Sequence, residues 1–129
     1  MNKPKPLKKG DTIAVVSLSS GVIGEEFCNH EILIGVKRLE KMGFKVIFMP
    51  AIGGVDGYKI FPYLMEDDEF IKSVKENPKL FTGYSDTTVH HLMFHRLGMQ
   101  SFYGPAFLTD IAELDDEMLP YTLKYWNIY

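Results

Sequence analysis

Thr12-Ile13-Ala14-Val15-Val16-Ser17-Leu18 is an almost unbroken apolar run. A strand of this kind, apolar without alternation, is one covered on both faces, as in a parallel sheet. Ser19-Ser20-Gly21 closes it with a turn. From residue 25 to 42, apolar side chains recur at Phe27, Ile32, Leu33, Val36 and Leu39, the spacing of one helix face. Gly43 then supplies a residue that takes the left-handed conformation ending a helix, and residues 45–49 form a second buried strand. Strand, helix and strand make one β-α-β unit, which predicts an α/β fold: a small parallel β-sheet with helices on its faces.

Working outward, the alternation continues. Residues 50–57 form a glycine-bearing loop, residues 58–64 a short helix limited by Pro62, and residues 66–76 a helix ending before Pro78. Residues 80–84 read as a third strand. Residues 86–97 carry Val89, Leu92, Met93 and Leu97 at helical spacing and end at Gly98. Residues 101–103 read as a fourth strand, and residues 114–126 as a last helix with Pro120 inside its pattern.

The chain of 129 residues is the size of one domain. Its 46% hydrophobic and 24% charged content excludes a disordered chain, a collagen-like repeat and a simple coiled coil. No apolar stretch approaches the roughly 20 residues that span a bilayer, and the basic start, residues 1–9, is not followed by a signal-like apolar segment. A soluble, cytoplasmic protein with no membrane partner is expected. Fourteen basic against 17 acidic residues give a net charge of −3. The basic cluster of Lys3, Lys5, Lys8 and Lys9 reads as a solvated arm, so no nucleic-acid partner is expected. Cys28 is the single cysteine, which excludes an internal disulfide and suits a reducing compartment. Glu25 and Glu26 beside it raise a thiol pKa, so an inert cysteine is the simpler reading.

Three stretches could carry chemistry. In Phe81-Thr82-Gly83-Tyr84-Ser85-Asp86-Thr87-Thr88, a serine stands at a strand-to-helix turn with glycine two residues before it. That is the layout of a nucleophile elbow: the turn lifts Oγ out of the sheet edge, and the next backbone N–H can face an oxyanion. Thr87 stands where a second glycine would complete the usual motif, and Ser85 or Asp86 serving only as a helix N-cap explains the same residues. In Ile52-Gly53-Gly54-Val55-Asp56-Gly57, the glycine pair lets backbone amides approach a ligand, although a tight turn needs the same residues. No dinucleotide or P-loop pattern is present, and no cofactor is expected. His91 and His95 share a helix face and could ligate a metal, yet no glutamate follows His91 and packing or surface histidines are simpler; no metal is expected.

The chain resembles the murein LD-carboxypeptidase and microcin-immunity family of serine peptidases in its N-terminal part. The resemblance is carried by Leu7-Lys8-Lys9-Gly10-Asp11-Thr12-Ile13-Ala14-Val15-Val16-Ser17, Gly35-Val36-Lys37-Arg38-Leu39-Glu40 and Gly43-Phe44-Lys45-Val46. It continues through Ala51-Ile52-Gly53-Gly54, Pro62-Tyr63-Leu64, Gly83-Tyr84-Ser85-Asp86-Thr87-Thr88 and Phe102-Tyr103-Gly104-Pro105. It implies a Ser-His-Glu hydrolase that cleaves an amide between an L-centre and a D-residue in murein peptides, or releases an acyl group from a peptidyl-nucleotide antibiotic. Ser85 would be the nucleophile, with the amides of Asp86 and Gly54 as the oxyanion hole. Gly53 and the loop of Ser17 and Ser19 would contact the substrate, a small peptide or peptidyl-nucleotide.

Two departures from the family pattern bear on activity. Phe48-Met49-Pro50 runs straight into Ala51-Ile52-Gly53-Gly54, where the family normally has a helix and a strand, so the chain is internally shortened. The family's glutamate and histidine come from a C-terminal domain, which these 129 residues do not contain. The expectation is therefore a single α/β domain, residues 1–129, resembling the family's N-terminal domain. It is either a serine hydrolase part or a non-catalytic ligand-binding remnant, and it self-associates as a homo-oligomer through surface left uncovered.

Overall fold

Strand β1 (Thr12–Val15) runs parallel to β2 (Lys45–Phe48), with Ile13 opposite Val46 and Val15 opposite Phe48. They belong to the first of two units in a computed structural model that describes residues 1–17, 22–49 and 57–126. This unit comprises Leu7–Gly54 and Pro105–Tyr129; the other comprises Met1–Pro6 and Val55–Gly104. The connection from β1 to β2 is α1 (Asn29–Lys41), entered through a 3₁₀ turn at Glu26–Cys28. Gly43 ends it at φ +97°, where the backbone turns left-handed and Phe44 N–H reaches the Leu39 carbonyl at 3.1 Å.

Helix α1 packs through a face set by its sequence. Leu39 is fully buried against Ile111, Met118 and Trp126, with Ile13, Phe44, Val46 and Phe107 around them. Gly35 is required by close packing: a Cβ there would meet the Phe107 ring at 2.6 Å and the Ala112 Cβ at 2.9 Å. Phe107–Ile111 forms a turn of π-helix, and α5 (Pro120–Trp126) starts at Pro120. Proline is suited to that first position because its missing N–H would have had no intrahelical partner. Its placement there explains why the helix expected from residue 114 begins later.

Burial alternates along β1, whereas in β2 both Ile47 and Phe48 are exposed. Val15 is buried, Ile13 and Val46 are half-buried, and Ala14 and Ile47 are exposed. Among the described residues the expected cover on both faces is not found: α1 and its partners cover one face. Cys28 is 1% exposed, and burial together with the Glu31 and Glu25 carboxylates pushes its thiol pKa up.

The second unit holds α2 (Gly57–Glu66), α3 (Asp68–Glu76), β3 (Thr82–Gly83), α4 (Thr88–Arg96) and β4 (Phe102–Tyr103). Pro62 lies inside α2 without ending it. Asp67 caps α3 by accepting from Phe70 N–H at 2.9 Å. β3 and β4 are parallel, with Gly83 opposite Tyr103. Asn2 bridges to Met99 beyond α4, its N–H reaching the Gly98 carbonyl. The fold is thus α/β with two small parallel strand pairs, one in each unit. Among the described residues no helix is long and apolar enough to cross a membrane.

Candidate active site

β3 delivers the chain to Tyr84, still extended at φ −152° and ψ −176°, and the next residue reverses it. Ser85 has φ +61°, the only positive value at a non-glycine among the described residues. The left-handed conformation costs an L-residue roughly 1–2 kcal/mol, and such residues persist where the surroundings hold them. A 3₁₀ turn at Ser85–Thr87 follows and runs into α4. This is the sharp strand-to-helix turn expected of a nucleophile elbow. Ser85 and Asp86 are both exposed on it.

The neighbouring sequence explains why the turn forms. Gly83 has φ +153°, and a Cβ there would lie 2.8 Å from Thr87 Oγ1, so the position two before the serine excludes a side chain. Thr87 Oγ1 donates to the Tyr84 carbonyl at 2.9 Å. Thr88 Oγ1 donates to the Ser85 carbonyl at 2.5 Å. The Ser85 N–H donates to the Tyr103 hydroxyl at 3.0 Å. Small hydroxylated residues after the serine are therefore backbone clamps, which is why glycine is not needed at Thr87.

His91 supports the turn from below. It is buried, and Nε2 lies 3.0 Å from the Gly83 carbonyl while Nδ1 lies 2.8 Å from Ser101 Oγ. A carbonyl only accepts, so Nε2 carries the proton and Nδ1 accepts from the serine hydroxyl. Burial lowers the His91 pKa, and the Gly83 bond partly opposes that. His90 is also buried, with Nδ1 unpartnered; burial and then the proximity of His91 lower its pKa. Both are neutral core histidines near Phe81. His95 is exposed. Among the described residues no group of three His, Cys, Asp or Glu is placed to hold a metal ion.

Of the residues singled out in the sequence, Ser85 and Asp86 stand together on the elbow. Ser17 follows β1 in the other unit and is half-buried. Ser19, Gly53 and Gly54 lie outside the described residues. Tyr103, Thr88 and His91 support the elbow without standing out as such in the sequence. Their signal was weak: a tyrosine in Phe-Tyr-Gly-Pro, and a histidine on the apolar face of the helix that follows the serine.

Residues 47–104 match a family described as the LD-carboxypeptidase N-terminal domain. A probable murein peptide carboxypeptidase of Bacillus subtilis (strain 168) is 29% identical, over 88% of this chain and 43% of its own length. The Microcin C7 self-immunity protein MccF of Escherichia coli is 26% identical, over 84% of this chain and 40% of its own. The crystal structure of an MccF-like protein from Streptococcus pneumoniae, in complex with AMP, superposes with a TM-score of 0.82 at 40% identity. It covers 92% of this chain and 44% of that one. The chain thus spans less than half the length of the curated relatives it matches. The Bacillus alignment extends over 145 residues, more than the 129 of the chain, so it includes stretches that this chain does not have.

Proposed function

We propose that this chain, which belongs to the LD-carboxypeptidase and microcin-immunity family through that family's N-terminal domain, is the nucleophile-bearing part of a serine hydrolase. Its substrates on this reading are amides of murein peptides or of peptidyl-nucleotides. The observation that carries the reading is Ser85 held at φ +61° on an exposed strand-to-helix turn, inside the matched segment. Ser85 Oγ would attack the scissile carbonyl, and the Asp86 amide would face the oxyanion, aided by the partial positive charge where α4 begins. The resemblance adds Gly54 as a second oxyanion donor, and Gly53, Ser17 and Ser19 as substrate contacts. Cys28, buried and with its thiol pKa raised, is the inert kind of cysteine that a reducing cytoplasm preserves.

A second reading, a ligand-binding module without turnover, is favoured by one feature. Among the described residues no histidine is hydrogen-bonded to Ser85, and both nitrogens of His91 are committed elsewhere. A serine without a base is a weak nucleophile. An oxyanion hole and binding alone leave a residual of roughly 10³–10⁴ over water.

The test compares the 129-residue chain with Ser85→Ala on an L,D-peptide amide, with AMP binding measured in parallel. Turnover above that residual, falling to it in Ser85→Ala, supports the hydrolase reading. AMP binding with turnover that Ser85→Ala leaves unchanged favours the binding module.

A further inference from the structure

The Phe102-Tyr103-Gly104-Pro105 stretch has no part in the reaction outlined above, yet its tyrosine touches the backbone of the nucleophile. Tyr103 stands opposite Gly83 in the β3–β4 register. Its phenol oxygen accepts the N–H of Ser85, two residues beyond that glycine, at 3.0 Å. Tyr103 is 60% exposed, so filling a core does not explain the residue. Its ring also lies 5.5 Å from that of His91, which itself holds the Gly83 carbonyl.

Thr88 completes the arrangement. Its hydroxyl has one proton for two acceptors, the Ser85 carbonyl at 2.5 Å and the Tyr103 oxygen at 3.4 Å. The shorter contact takes it while the phenol is neutral, and the longer one is open to it once the phenol ionises. Donors on Thr88 and on the Ser85 amide accordingly draw the Tyr103 pKa below the ordinary tyrosine value, while desolvation opposes them. Both backbone polar groups of Ser85 are thus held by side chains, at the residue whose φ most needs holding.

We propose that Tyr103 is a positioning residue: its phenol oxygen holds the Ser85 N–H, keeps the elbow left-handed and so fixes the direction in which Oγ points. Its catalytic consequence rests on Ser85 being the nucleophile. A misplacement of about 1 Å at a reacting atom costs as much as 10²-fold in rate. Loss of the phenol oxygen therefore lowers reactivity at Ser85 about ten- to a hundredfold without changing what binds beside it.

The experiment uses the full chain as wild type, Tyr103→Phe and Thr88→Val. Amide hydrogen exchange by NMR reads the Ser85 N–H, and a fluorophosphonate probe gives the inactivation rate constant kinact and the binding constant KI. The expected result in Tyr103→Phe is about tenfold faster exchange at Ser85 with α4 amides unchanged, and a fall in kinact with KI within about twofold. Thr88→Val, which leaves the tyrosine in place, shifts both in the same direction by less. Unchanged Ser85 exchange in Tyr103→Phe overturns the proposal, as does a kinact equal to that of wild type. A wild-type chain that takes no probe favours the binding-module reading over turnover by this chain, and the exchange rates alone then decide whether Tyr103 holds the elbow. Should Tyr103→Phe not fold, unchanged exchange and kinact in Thr88→Val overturn the proposal.

Discussion

Ser85 combines an unfavourable backbone conformation with an exposed hydroxyl, and the two have opposite consequences for stability and reactivity. Glycine reaches φ +61° without the Cβ clash but adds freedom to the unfolded chain. Ser85→Gly is therefore expected to raise stability by up to about 1 kcal/mol while removing the hydroxyl. The urea midpoint of the variant checks this, and a lowered midpoint would mean that the serine side chain, and not its surroundings, holds the turn. Gly83 is the converse case, since any side chain there collides with Thr87. Its need for glycine was legible in the sequence from its place two before the serine. The requirement at Gly35 was not legible, because the Phe107 ring that fills the space belongs to a segment far along the chain.

Among the elements, α1 and α4 carry the most information. Arg38, on α1, donates to the carbonyls of Ile111 at 2.8 Å, Glu113 at 3.0 Å and Asp115 at 2.6 Å. One planar guanidinium thus satisfies a run of backbone acceptors that leaves the π turn without a ladder of its own. Arg38→Ala is expected to cost about 2–3 kcal/mol in urea denaturation, with Arg38→Lys recovering part of it, since a point charge cannot fork to three carbonyls. On α4, burial lowers the pKa values of His90 and His91 from 6.5. The unfolded chain then binds protons that the folded chain refuses, so stability is complete above about pH 6.5 and declines as pH falls below it. Urea midpoints between about pH 7.5 and 5.5 check this, and His90→Leu is expected to flatten the curve. Helix α4 itself, like α1 and the strand positions, was legible from apolar period and glycine stops. Its boundary was not, because the left-handed serine and a 3₁₀ turn precede the first α-helical residue, Thr88. In the same way, nothing local announces the Arg38 contacts, which join residues more than 70 apart in the chain.

Across the whole molecule, the α/β class followed from the β-α-β pattern, whereas the separation into two strand pairs did not, since apolar runs do not reveal which strands pair. The same limit applied to burial: β1 and β2 read as doubly covered, and Ile47 and Met49 are 48% and 50% exposed. We expect this apolar surface to drive self-association, seen as a rise in sedimentation coefficient with concentration, and lost in Ile47→Lys. A concentration-independent monomer would show that the surface is tolerated. The Asn2–Met99 bridge has a further consequence, for the order of events during synthesis. Met99 is made long after Asn2, and all of Leu7–Gly54, part of a different unit, emerges between them. The nascent chain can assemble β1, α1 and β2 early, while Met1–Pro6 waits for α4 before it finds a place. A tag or fusion joined close to Asn2 would therefore interfere with a later step of folding than the assembly of β1, α1 and β2.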